Sequence, residues 1–276
     1  MKKQIKAYLF DVDGVLFERN QEKIIFDQLL IEIKKRLEQG FFAGFNTGRS
    51  FEFVSEKILI PLEKILEKRF LKQIFIACEK GAVDIFYNSA HKKEVYLHKD
   101  LIVPNKIREK IASLVKLKKF NPWMFIDKSK KIMMTIEELP NNGKSEFAFK
   151  NFQEAQLSIS TEIKQLILDN KLNHEIRIDQ TRIAIDIESK KSGKALATKK
   201  FLEYLKTKGI VPDKVFCFGD SSSDYEMQQE LKKNKIDSTF IFVGSPKTLI
   251  IKKDKKIIFP KKQLTAGVLE FLKKEN

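Results

Sequence analysis

The 276-residue chain is expected to fold as an α/β protein: a parallel sheet with helices on both faces, interrupted by an inserted antiparallel α+β unit. Three observations carry this expectation. Over the first ~80 residues apolar strand-like runs alternate with helical patterns, as a sheet covered on both faces demands. From Gly81 to Lys190 the pattern changes to short alternating strands and two helical stretches. Finally, the residues able to do chemistry each follow directly on an apolar run, which places them at the carboxyl ends of strands, where such sheets bind ligands.

The first strand, Ile5 to Phe10, runs into Asp11-Val12-Asp13-Gly14. A carboxylate at the end of a buried strand can attack phosphorus and form an acyl-phosphate. Asp13, at i+2 on an extended chain, points the same way and can protonate the leaving oxygen, then deprotonate water. Gly14 allows the sharp turn that follows. Two carboxylates this close repel, so a cation is expected beside them, and Mg2+ is the oxygen-seeking partner of phosphate.

A helix over Gln21 to Gln39 leads to a second strand, Phe41 to Phe45, and then Asn46-Thr47-Gly48-Arg49. Here the Thr47 hydroxyl and Gly48 amide suit phosphate oxygens. A helix over Phe51 to Ile58 and a strand over Gln73 to Cys78 close this part. In the inserted segment, strands are expected at Trp123 to Ile126, Lys131 to Glu137, Glu175 to Ile178 and Arg182 to Glu188, with helices near Asn105 to Leu117 and Ser160 to Asn170. In the last of these strands three isoleucines share one face, which leaves Arg182 and Asp186 on the other, as candidates to hold the non-phosphate part of a substrate.

Ser192-Gly193-Lys194 then opens a helix over Ala195 to Lys206, whose amino end favours an anion and to which Lys194 adds a full charge. The strand over Val215 to Gly219 ends in Asp220 and, four residues on, Asp224. These acids can complete a magnesium site with Asp11.

The motifs Asp11-Val12-Asp13-Gly14, Thr47-Gly48-Arg49, Lys194 and Gly219-Asp220 with Asp224 together resemble those of the haloacid dehalogenase superfamily of phosphohydrolases. The resemblance runs from Asp11 to the closing helix. It implies a Rossmann-like core of residues 1–83 and 190–276, and an inserted cap domain of residues 84–189 that closes over the substrate. It further implies Asp11 as nucleophile, Asp13 as general acid/base, and Thr47, Gly48 and Lys194 as phosphate ligands. Asp11, Asp13, Asp220 and Asp224 become the metal-side residues. An acid two residues after the nucleophile is similar to the phosphatases and phosphomutases of the superfamily. The implied activity is therefore a magnesium-dependent phosphatase for small phosphorylated metabolites, sugar phosphates foremost. A phosphohexomutase and a non-catalytic phospho-ligand-binding protein are the alternatives. Where the sugar-phosphatase branch often has Asn-Asp, this chain has Ser223-Asp224.

Composition excludes several other classes. No apolar run reaches the ~20 residues of a membrane span, and Met-Lys-Lys leads straight into a core strand, so a cytoplasmic location is expected. Cys78 and Cys217 lie in apolar runs and read as buried thiols. The scattered His91, His98 and His174 do not make a zinc site. The formal charge of +16 raises nucleic acid as a partner. Its lysines are spread along the chain, however, and the densest stretch, Lys232 to Lys262, contains no arginine. A field that attracts phosphorylated small molecules is expected instead. Asn142-Gly143-Lys144-Ser145 and Ser192-Gly193-Lys194-Ala195 each lack the glycine that a nucleotide-binding P-loop needs five residues before its Gly-Lys.

Overall fold

A computed structural model of the protein describes residues 4–18, 22–140, 145–248 and 254–275. Residues 142–144 of the P-loop lookalike, Gln21 and the Lys252-Lys253 pair lie outside them. The chain divides into two compact units, one of residues 1–96 and 193–276, the other of residues 97–192.

In the first unit, strands β1 (Lys6–Phe10), β2 (Phe42–Asn46), β3 (Ile74–Cys78), β4 (Val83–Tyr87), β5 (Lys93–Leu97), β10 (Lys214–Gly219), β11 (Ser238–Phe242) and β12 (Ile257–Ile258) form one sheet. The order is β12-β11-β10-β1-β2-β3-β4-β5. All the pairings from β12 to β3 are parallel, and β4 turns back antiparallel on β3. Every residue of β2, β3 and β11 is buried, which is why these strands read as unbroken apolar runs. Alternation still sorts the two faces. Ala7, Leu9, Val215 and Cys217 pack with Phe201 and Leu205 of α7 (Lys194–Thr207) and with Met227 and Leu231 of α8 (Tyr225–Lys233). On the opposite face the rings of Phe10 and Phe218 stack at 4.7 Å, and Phe271 of α9 (Leu264–Lys274) meets Phe218 edge-on at 5.5 Å. Beside α9 lies α1 (Lys23–Glu38), whose Arg36 donates to the Leu272 and Glu275 carbonyls.

The expected boundary at residue 84 falls inside this sheet. Residues 84–96, assigned to the insertion by the sequence reading, form most of the β4–β5 hairpin. The change of pattern just after Gly81 is an antiparallel return on the sheet edge, and the second unit begins at Leu97. The helix expected over Phe51 to Ile58 extends to Ile65 as a short helix α2 (Phe51–Val54), a π-turn over Ser55–Leu59 and α3 (Ile60–Ile65). Pro61 stands just after the π-turn and has no amide hydrogen to donate within this helical run.

The second unit has a four-stranded antiparallel sheet, ordered β6-β7-β9-β8, from β6 (Met124–Ile126), β7 (Met134–Glu138), β8 (Ile176–Gln180) and β9 (Ala184–Ser189). One face packs against α5 (Asn105–Val115) and α6 (Glu146–Asp169): Ile136, Ile185 and Ile187 lie with Ile107, Ile111, Phe152, Ile159 and Ile163 in one core. Of the three alternating isoleucines of the sequence, Ile185 and Ile187 form this core face and Ile183 precedes the strand. Helix α6 starts fourteen residues before the expected Ser160, at a cap where Ser145 Oγ accepts from the Ala148 amide. Among the described residues no helix is long and apolar enough to cross a membrane.

Candidate active site

Strand β1 delivers Asp11, and the ladder continues one residue beyond it: the Asp11 amide donates to the Phe218 carbonyl at 3.0 Å. The chain then folds back tightly, with the Leu16 and Phe17 amides on the Val12 carbonyl and Gly14 N–H on the Phe17 carbonyl. Gly14 takes φ +72°, and a Cβ there would stand 2.3 Å from Asp220 Oδ2. Glycine is therefore needed for the backbone and for the approach of the Asp220 carboxylate.

Strand β2 ends at Asn46, and Thr47, fully buried, donates its amide to Ala77 O while its hydroxyl accepts from the Arg49 amide at 3.1 Å. Lys194, first residue of α7, reaches across to both strand ends. Its ammonium lies 2.5 Å from Asp11 Oδ1, 2.6 Å from the Asn46 carbonyl and 3.0 Å from Asp224 Oδ1. Asn46 returns the contact by donating its side-chain amide to Lys194 O at 2.8 Å. The end of β2 and the start of α7 are thereby locked to each other.

After β10, Asp224 is fully buried. Its Oδ2 accepts from the Asp220 amide (3.2 Å), the Ser221 amide (3.0 Å) and Ser221 Oγ (2.7 Å). The Ser221-to-Asp224 spacing is a capping box, a local signal that the sequence itself carries. Carboxylate oxygens of Asp11, Asp220 and Asp224 lie within 4.8 Å of one another.

Electrostatics follow from this crowding. Burial, then repulsion by Asp224 and Asp13, pushes the Asp11 carboxyl well above the usual range against the pull of Lys194. Burial and Asp224 raise Asp220 to about 6. Lys194 goes the other way: burial disfavours its charge, but the Asp11 and Asp224 carboxylates override this and hold its pKa above that of a free lysine. Four carboxylates, those of Asp11, Asp13, Asp220 and Asp224, face two cations, Lys194 and Arg49, a deficit of two positive charges. An oxygen-only donor set with that deficit fits a hard divalent cation.

Asp13 stands apart from the three-carboxylate cluster. Arg49 grips it instead, with Nε 2.8 Å from Oδ2 and the terminal NH2 2.7 Å from Oδ1. The guanidinium also lies over the Phe53 ring, 4.6 Å from its centroid, and Phe53 meets Phe17 edge-on. Arg49 therefore binds Asp13, two residues on from Asp11.

In the second unit, Asp186 lies on the sheet face opposite the core isoleucines and accepts from Thr135 Oγ1 at 2.7 Å. Arg182 does not share that face. It sits in the exposed turn before β9, closed by the Thr181 amide on Ala184 O, and its guanidinium lies 5.0 Å from the Phe149 ring of α6. The expectation for Arg182 is corrected accordingly: period-two alternation ends where the strand ends.

The family model for haloacid dehalogenase-like hydrolases matches residues 8–234. Among solved structures, the chain is similar to the C-terminal domain of trehalose-6-phosphate phosphatase from C. albicans, with 17% identity, a TM-score of 0.67, and 98% of this chain and 91% of that one covered. A haloacid dehalogenase-like hydrolase from Bacteroides thetaiotaomicron gives 15% identity and 0.63 over 98% and 99%. The sucrose-phosphatase from Synechocystis, solved with sucrose and phosphate, gives 13% and 0.59 over 99% and 98%. These likenesses are of fold. No curated protein sequence matches the chain.

Proposed function

The chain belongs to the haloacid dehalogenase-like hydrolases, and from that premise we propose that it is a magnesium-dependent phosphatase of small phosphorylated metabolites, sugar phosphates foremost. The observation that carries this reading is the setting of Asp11: buried at a strand end, with one oxygen on Lys194 and two further carboxylates beside it. Solved structures similar to it in fold include a trehalose-6-phosphate phosphatase and a sucrose-phosphatase, which supports the substrate class.

In the proposed sequence Lys194 fixes Asp11 by Oδ1, and the other oxygen attacks phosphorus as the bond to the sugar oxygen breaks. Asp13 gives its proton to the departing alkoxide. It then takes a proton from water, which attacks the aspartyl-phosphate and releases inorganic phosphate and free Asp11. For Asp13 to carry a proton, Arg49 has to loosen its two-point grip. Thr47 and the Gly48 amide hold the phosphoryl oxygens, and Lys194 offsets their charge. Mg2+, held by Asp11, Asp220 and Asp224, would neutralise phosphoryl charge and orient the group for in-line attack.

The test is phosphate release from a panel of sugar phosphates, nucleotides and an aryl phosphate, with Mg2+ or chelator, for wild type and Asp11→Asn. Metal-dependent release that Asp11→Asn abolishes is expected. Release unaffected by chelator or by Asp11→Asn would overturn the reading.

A further inference from the structure

The sheet of the second unit ends on one side at β6, a strand of three residues, Met124-Phe125-Ile126. Its pairing to β7 uses every other residue. The Leu139 amide donates to the Trp123 carbonyl at 3.1 Å and the Asp127 amide to the Thr135 carbonyl at 2.9 Å, with Phe125 opposite Glu137 between them. In an antiparallel ladder the alternate residues turn their N–H and C=O away from the partner strand. Met124 and Ile126 therefore present their backbone groups to the open side. The Met124 amide is taken by the Phe120 carbonyl at 3.3 Å. Among the described residues no hydrogen bond fills the Met124 carbonyl or either backbone group of Ile126. Such an edge is a template for one more strand, and proteins usually blunt it with charge. At the edge of the larger sheet, β5 does so with Lys93 and Glu94, whereas β6 carries no charge.

Beside this edge, between β6 and α5, lies a groove of about 870 Å³, within the range that holds ligands. Ala112 and Val115 of α5 line one side, Met124 and Ile126 of β6 the other, together with Met134 of β7. Methionine adapts to varied apolar side chains. The rim is cationic. Lys116 and Lys128 line it, are exposed, and make no ion pair among the described residues. Arg108 lines it too, with its guanidinium occupied by the Val103, Ile132 and Met133 carbonyls, and Glu109 supplies an opposing charge.

We propose that this groove docks an extended segment of an acidic partner protein, which adds to β6 as a further strand, places apolar side chains between β6 and α5, and sets carboxylates against Lys116 and Lys128. Strand addition of this kind takes affinity from main-chain bonds and specificity from side-chain pockets. Open N–H and C=O groups along the edge call for another backbone, which an acyl chain does not have. A second copy of this chain, with its charge of +16, would bring like charge to the rim, which is repulsive. The proposal stands independently of the phosphatase reading.

The test titrates the full-length protein against fluorescein-labelled octapeptides, read by anisotropy: one alternating glutamate and valine, the other with lysine in place of glutamate. Saturable binding of the acidic octapeptide is expected, tighter than that of the basic one by about tenfold or more. Two variants locate it. Lys116→Glu/Lys128→Glu changes only exposed side chains and should weaken the acidic octapeptide by about tenfold or more. Ile126→Pro removes the outward amide without breaking the ladder to β7, a place where an edge strand accepts proline. It should weaken binding by about threefold or more, the effect of one hydrogen bond, whereas Ile126→Val, which keeps the amide, should not. Melting curves establish that each variant is folded. Should Ile126→Pro not fold, amide exchange in the wild-type protein decides: the Ile126 amide should exchange markedly more slowly with the acidic octapeptide bound, and unchanged exchange would overturn the proposal. So would no binding of the acidic octapeptide, equal binding of the basic one, or affinity unchanged in either folded variant. Laurate bound by calorimetry and lost in Lys116→Glu/Lys128→Glu, with the acidic octapeptide unbound, would assign the groove to a small amphiphile instead.

Discussion

Replacing Gly14 by alanine tests whether the turn after Asp11 exists to let Asp220 into the three-carboxylate cluster. The added Cβ would stand 2.3 Å from Asp220 Oδ2 and 2.6 Å from its Cγ. Ordinary contact begins near 3.4 Å, so the carboxylate has to move by about 1 Å. The backbone of Asp220 cannot make that move. Its amide is held by Asp224 Oδ2, and its carbonyl sits in the space that a Cβ on Gly244 would fill, at 1.9 Å. The side chain must therefore swing out of the cluster, and a misplacement of ~1 Å in a catalytic array costs roughly 10²-fold. Forcing alanine to φ +72° adds only about 1–2 kcal/mol of instability. Gly209 supplies the control, because it has φ +70° with nothing within 4 Å. Gly209→Ala should lose the same ~1–2 kcal/mol in urea unfolding and keep full activity. Gly14→Ala should lose similar stability, at least ~10²-fold in kcat/KM, and require more Mg2+ for half-maximal rate. Gly14→Ala protein with wild-type rate and metal dependence would refute the reasoning, since Asp220 would then have no need to be where it is.

Three further outcomes are expected. Asp13→Asn keeps the shape of the pair with Arg49 but cannot shuttle a proton, so kcat should fall by ~10²–10⁴-fold; an unchanged kcat would remove Asp13 from the chemistry. Phe218→Ala empties the centre of the ring stack with Phe10 and Phe271, and by the cost of aromatic deletions in cores it should lose about 3–5 kcal/mol in denaturant unfolding; a loss under ~1 kcal/mol would mean the stack contributes little. Asp254 gives a pH signature away from the site: burial works against its charge, but the Lys232 ammonium and Tyr225 hydroxyl override this and lower it from 3.8 to about 2. Because the folded value is the depressed one, its stabilisation is fully present above pH ~4 and is lost as pH falls toward ~2. The stability gap between wild type and Asp254→Asn should therefore close across that window. A gap independent of pH would contradict the linkage.

The candidate site was legible because its parts sit at strand ends or at a helix start. Strand period and strand end are properties of a few consecutive residues, so Asp11, Thr47, Lys194 and Asp220 could be ordered from the chain alone. What stayed hidden depends on what lies across space. Thr47-Gly48-Arg49 does not say what Arg49 binds, and only the return of the chain at Gly14 to Phe17 places Asp13 under its guanidinium. Arg182 shows the opposite error, a local rule carried one turn beyond the strand that justified it. Lys80 had no signal at all: Glu-Lys-Gly after a strand is an ordinary turn in sequence. Its backbone is held by Thr47 on one side and Gly193 on the other, more than a hundred positions apart. The residues that perform a reaction common to many substrates can thus be found by local pattern. A junction such as the one at residue 80 stands where segments distant in the chain meet, and it has to be found from the hydrogen bonds that hold its backbone in place.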